Sequence, residues 1–106
     1  MSKYHNKKTE YEGVVYDSKK EAEFARTLDI LRKAKKDRER VVAWQRQVPF
    51  DVKIRGTKVC SYKADFLVTY ADGRDEIIDV KGYRTALYRL KKKLVEAQYM
   101  VKIIEV

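Results

Sequence analysis

Between Tyr62 and Gly82 the chain carries two apolar runs, an aspartate within each, and a sharp break at Ala71-Asp72-Gly73. Side chains alternate across a strand, so the length of the loop between two strands decides which residues share a face. A two-residue turn at Asp72-Gly73 would set Asp65 opposite Val80 and send Asp79 to the other side of the sheet. A three-residue loop instead pairs Tyr70 with Arg74, and therefore Asp65 with Asp79. Gly73 then stands where such a loop needs a left-handed residue. The β-carbons of Asp65 and Asp79 would lie about 5 Å apart, with Lys81 two residues further along the same face. Adjacent carboxylates repel unless one is protonated or a cation lies between them. With a lysine beside them, a divalent cation is the simplest resolution.

An ordinary surface hairpin would also tolerate these polar residues. Against it stand Ile77, Ile78 and Val80, which make the second strand apolar on both faces, as in a strand covered on both sides. Charges inside such a strand are costly without a task.

The 106 residues suffice for one compact domain, with 1–16 as a basic arm and small hairpin. No apolar run approaches a membrane span or a signal-peptide core. Cys60 is the only cysteine, which leaves no disulfide framework or zinc knuckle and fits a reducing, cytoplasmic setting. The single histidine, His5, lies in the polar N-terminal arm. A histidine-metal nuclease and a Ser-His-Asp hydrolase both need a histidine fixed in the site.

Net charge is +9, from 25 basic and 16 acidic residues, which points to a polyanion and above all to nucleic acid. Six basic groups fall within residues 32–40 and five within 84–93, the latter without an acid among them. A merely well-solvated surface would mix the signs more evenly. Anionic membrane fits less well, since neither basic helix has a bulky apolar face left over to insert.

Along the chain, Glu10–Tyr16 suggests a small hairpin around Glu12-Gly13. Ser18 is the expected N-cap of a helix, with Glu21 at capping-box spacing. Phe24, Ala25, Leu28 and Leu31 continue that helix toward the basic stretch near Arg40. Residues 42–54 and 58–70 read as two long strands, and Pro49 makes the first an edge. A third strand spans 76–81. A second helix spans 85–99 with Leu87, Leu90, Leu94 and Ala97 on one face, and a short strand follows at 101–106. The β-helix-β step at the end implies a parallel pair. The expected fold is α/β: an α-β-β-β-α-β core with a mixed sheet and helices on both faces.

Glu21 has an ordinary role available as the capping-box glutamate. It also leads the stripe of Phe24, Ala25 and Leu28, which aims it at the sheet and at Asp65 and Asp79. Gln47 is either an accessory to the site or a plain edge-strand residue. Lys91 borders the leucine face of the second helix, where it either snorkels or reaches a phosphate, while Arg89 and Lys92 point outward. Arg84 and the helix start near Thr85 offer further phosphate contacts. Trp44 and most tyrosines read as core or strand residues.

A helix glutamate, then an aspartate, then D/E-x-K across a hairpin resembles the PD-(D/E)XK nuclease superfamily, which includes restriction endonucleases and Holliday junction resolvases. More closely, NKKTEYEGVVYDSKKEAEF, Gln47-x-x-Phe50, YKADF, IIDVKG and RLKKKL, in that order, resemble a family of small phage-encoded proteins. That family was long catalogued as a domain of unknown function and was assigned to this superfamily. The resemblance covers nearly the whole chain. It implies a restriction-endonuclease-like core and a catalytic set of Glu21, Asp65, Asp79 and Lys81. The metal would be held by Glu21, Asp65, Asp79 and the Val80 carbonyl, with Gln47 as accessory. Mg²⁺ is the implied cofactor, with Mn²⁺ as a substitute, and DNA the implied partner, in a host bacterial cytoplasm. Lys19, Lys20, Arg84, Arg89, Lys91, Lys92 and Lys93 would hold the backbone. Cutting both strands of a branched duplex would require a homodimer. Ala64 stands where the superfamily often has proline, and Asp79 where it often has glutamate. A non-catalytic nucleic-acid-binding module on the same fold is the alternative.

Overall fold

The computed structural model describes residues 7–80 and 83–106, so the expectations for His5, Lys81 and Gly82 lie outside the described residues. In chain order the elements are β1 (Thr9–Tyr11), β2 (Val14–Tyr16), α1 (Lys19–Leu31), β3 (Val41–Ile54), β4 (Thr57–Tyr70), β5 (Asp75–Asp79), α2 (Ala86–Tyr99) and β6 (Ile103–Glu105). β1 and β2 form a two-stranded antiparallel sheet, and the other strands form a mixed sheet in the order β3-β4-β5-β6. β3, which carries Pro49, is an edge strand, because proline lacks a ladder donor. β5 and β6 pair in parallel, with Ile77 opposite Ile103 and Asp79 opposite Glu105. The contacts divide into two compact units.

One unit holds the chain up to Trp44 together with Thr69–Asp75. Ser18, in an extended conformation, caps α1 by accepting the Glu21 N–H at 3.1 Å. Ala22, Ala25 and Leu28 are buried at helical spacing. Asp29 ties three segments together, accepting the Tyr11 hydroxyl at 2.6 Å and the Trp44 indole N–H at 2.9 Å, with Arg32 at 3.3 Å. The bond to this carboxylate raises the Tyr11 hydroxyl to about 12 and holds Asp29 below its ordinary range.

α1 stops at Leu31 and does not continue toward Arg40. Arg32, Lys33, Lys35 and Lys36 would stack like charges at i,i+3 and i,i+4 in a longer helix. The segment takes turns instead, and the Arg40 guanidinium donates to Lys35 O at 3.2 Å and Asp37 Oδ1 at 2.8 Å. This loop also grips the tip of the β4–β5 hairpin. Ala71 N–H donates to Arg40 O at 2.8 Å, and Arg74 donates to Arg38 O at 2.5 Å while lying over the Tyr70 ring.

The other unit comprises Gln45–Val68 and Glu76–Val106. Its core is Val52, Tyr62, Ala64, Ile77, Tyr88, Val95 and Ile103. Thr85 caps α2 by accepting the Tyr88 N–H at 3.0 Å. At the other end of the helix, Gln98 bonds both Lys53 N–H and Asp51 O, and the Tyr99 hydroxyl donates to Asp51 O, which covers part of the β3 edge.

The inward face of α2 differs from the expected leucine stripe. Leu87 and Leu90 are 61% and 54% exposed and Ala97 is exposed, whereas Tyr88 and Val95 are buried. The Tyr88 hydroxyl bonds Glu105 at 2.7 Å and its ring lies 6.3 Å from that of Tyr62. Satisfying that buried phenol sets the rotation of the helix, and the leucines turn outward. α2 therefore does present bulky apolar side chains to solvent. Replacing Leu90 with serine should change stability by less than about 0.5 kcal/mol. Val95→Ala should cost about 2 kcal/mol, as measured by urea unfolding.

Candidate active site

The break at Ala71-Asp72-Gly73 is a three-residue loop. Tyr70 N–H donates to Arg74 O and Gly73 N–H to Tyr70 O, both at 2.9 Å, and Gly73 has φ +89°. Thr69 Oγ1 donates to Asp75 Oδ1 at 2.7 Å, as that register requires.

Tyr62 and Ala64 belong to the core cluster that also holds Tyr88 and Val95 of α2, and Leu67 packs against it. Along β4, Tyr62, Ala64, Phe66 and Val68 are buried in alternation, and between them stands the half-buried Asp65. Its Oδ2 accepts the Val80 N–H at 2.7 Å, so the carboxylate sits against the peptide joining Asp79 to Val80.

Asp79 is the last residue of β5 and has no exposed surface. An ionised carboxylate buried to that degree needs donors. The Tyr62 hydroxyl donates to Asp79 Oδ2. Burial of the phenol, and then its bond to Asp79, push Tyr62 far above the ordinary tyrosine range and keep it a donor. On the β6 side, the Val106 N–H donates to Asp79 O at 3.0 Å. The expected third strand thus ends at Asp79, and Val80, also buried, directs its N–H to a side chain.

Glu105, the parallel partner of Asp79, adds an acid that the motif did not point to. It accepts the Tyr88 hydroxyl and pairs with Arg84 at 3.0 Å. Tyr88, and then Arg84, hold its carboxyl below the usual 4.5. Arg84, expected as a phosphate contact, is therefore engaged within the chain. Of the support residues Tyr62, Tyr88 and Glu105, Tyr62 was nearest to view, three residues before Asp65. Glu105 becomes a neighbour only through the parallel register of β6.

Glu21 belongs to the other compact unit. It is 8% exposed in the first turn of α1, with Ser18 Oγ 3.4 Å from Oε2. Gln47 is half-buried in β3 and has φ +55°, a conformation uncommon for a non-glycine residue and unlike the extended backbone of a strand. Lys19, Lys20, Arg89 and Lys93 are exposed. Lys92, expected to point outward, is half-buried and pairs with Glu96 at 3.5 Å. Lys91 and Lys63 line a hollow of about 220 Å³ with Ser61, Tyr62, Thr85, Leu87 and Tyr88.

Among the described residues, no three His, Cys, Asp or Glu side chains are grouped to hold a metal ion. Asp65 and Asp79 fit a hard cation in kind. Both offer oxygen, they meet at one peptide, and Asp65 is only half-buried, which leaves a side open for waters or a phosphate oxygen.

A depressed carboxyl contributes stability above its unfolded value and loses that contribution as pH falls through its folded value. Urea stability should therefore fall as pH drops below about 4.5. Glu105→Gln should be less stable near neutrality and show a shallower acid loss than wild type.

No helix among the described residues is long and apolar enough to cross a membrane. No curated protein matches the sequence. The family described as Protein of unknown function (DUF1064) matches residues 1–105. With the match running from the first residue to the last but one, the chain belongs to the DUF1064 family.

Proposed function

We propose that the protein is a divalent-metal-dependent DNA endonuclease that hydrolyses phosphodiester bonds, with branched or flapped DNA as its substrate class. The observation that carries this reading is the meeting of Asp65 with the Asp79–Val80 peptide. Asp65, Asp79 and the Val80 carbonyl would hold Mg²⁺ or Mn²⁺. A bound ion would supply Lewis acidity, polarising the scissile phosphate and acidifying an attacking water.

The chain's own groups carry the rest. Tyr62 keeps the Asp79 carboxylate oriented. Lys81, two residues past Asp79, would offset charge building on the phosphorane. Glu21 and Gln47 join the set on the strength of the family resemblance. Lys63 and Lys91, beside Tyr62, would seat a backbone phosphate, and the exposed Lys19, Lys20, Arg89 and Lys93 would add sequence-independent affinity. Such contacts read the shape of a junction or flap without reading bases. Cutting both strands of a junction would call for two copies of the chain.

The experiment is a cleavage panel of linear, nicked, flapped and four-way DNA, with and without Mg²⁺ or Mn²⁺. Wild type should cut at least one form only with metal. Asp79→Ala should lose cleavage to background while binding DNA as well or better, because an acid beside phosphate has been removed. If wild type cuts nothing and Asp79→Ala behaves identically, a non-catalytic binding module becomes the better description. Binding itself should be steeply salt-dependent. With six phosphate contacts, affinity should drop about 10³-fold between roughly 50 and 200 mM salt, as read by fluorescence anisotropy.

A further inference from the structure

We propose that Tyr62 is a positioning residue that makes the Asp65–Asp79 pair prefer a small, strictly octahedral divalent cation over a larger one. The inference rests on the nuclease reading of that pair and deepens it.

The Tyr62 hydroxyl donates to Oδ2 of a carboxylate with no exposed surface. The phenol is itself held in place: Tyr62 is 5% exposed, and its ring lies 6.4 Å from Phe50 and 6.3 Å from Tyr88. The backbone of Asp79 is fixed as well. It pairs in register with β6, and its carbonyl accepts the Val106 N–H. Main chain and donor are thus both held where the hydroxyl meets Oδ2.

A carboxylate with one oxygen committed to a fixed donor offers a cation at most one oxygen on good terms. That suits Mg²⁺, which demands octahedral geometry at about 2.0–2.1 Å and uses single carboxylate oxygens with retained waters. Ca²⁺ takes more ligands, at about 2.3–2.6 Å, and readily uses both oxygens of a carboxylate. With the phenol in place, two-oxygen capture by Asp79 must compete with a buried hydrogen bond. The hydroxyl thus selects between ions without touching either.

The test is an NMR titration of DNA-free protein with MgCl₂ and with CaCl₂, following the Val80 amide. Wild type, Tyr62→Phe and Tyr99→Phe are compared; the Tyr99 hydroxyl bonds Asp51 O and serves as control. In Tyr62→Phe, Mg²⁺ affinity should fall about tenfold or more while Ca²⁺ affinity holds or rises, so the Mg²⁺/Ca²⁺ preference falls by at least about tenfold. Tyr99→Phe should leave the preference unchanged. Equal weakening of both ions would mean a merely structural hydroxyl and would overturn the inference, with the nuclease reading intact. Failure of wild type to bind either ion at Val80 would overturn both.

Should Tyr62→Phe fail to fold, tyrosine labelled with ¹³C at the ring ζ carbon gives the answer in wild type. The Tyr62 signal should move with Mg²⁺ at the same midpoint as Val80, and by a different amount with Ca²⁺. A Tyr62 signal that ignores Mg²⁺, or moves alike with both ions, would overturn the inference.

Discussion

The Val80 N–H donates at 2.7 Å to the carboxylate of Asp65, a side chain of the neighbouring strand, at the point where β5 ends. A main-chain donor at a strand end must find an acceptor, and here a carboxylate supplies it. That contact places the half-buried acid of β4 against the peptide of the fully buried acid of β5. From the other side β6 holds Asp79, through parallel pairing with Glu105 and the Val106 N–H bonded to its carbonyl.

Burial of Asp79 is the costly feature, and the aromatic packing beneath it is its counterpart. A hydrogen bond to a charged group is worth roughly 1.5–3 kcal/mol, and more is lost when the buried partner is left bare. Tyr62 meets Asp79, while Tyr88 meets Glu105 and also bonds Asp79, so two buried phenols serve two adjacent acids on neighbouring parallel strands. This explains why α2 turns Tyr88 and Val95 inward and leaves Leu87 and Leu90 in solvent. Polar satisfaction of one residue outweighed the burial of two leucines.

What was legible follows a local logic. Gly73 announced the three-residue loop and with it the pairing of Tyr70 with Arg74. Ser18 and Glu21 announced the start of α1, and Pro49 the edge position of β3. What escaped was non-local. The leucine spacing of α2 gave the helix correctly but not its rotation, which depends on where the Tyr88 hydroxyl finds a partner. Glu105 lies 26 residues from Asp79 in the sequence and becomes its neighbour only through parallel pairing. Gln47 was readable as a polar strand residue, yet nothing in its neighbourhood foretold a positive φ. The basic run after Leu31 kept a helical pattern on paper while its charges opposed the helix.

Anomalous diffraction from crystals grown with Mn²⁺ bears most directly on the central claim. One manganese peak should lie within about 2.0–2.6 Å of a carboxylate oxygen from each of Asp65 and Asp79, and should vanish in Asp79→Ala. Manganese bound only elsewhere, with Asp65 and Asp79 turned to separate partners in a metal-saturated crystal, would contradict it.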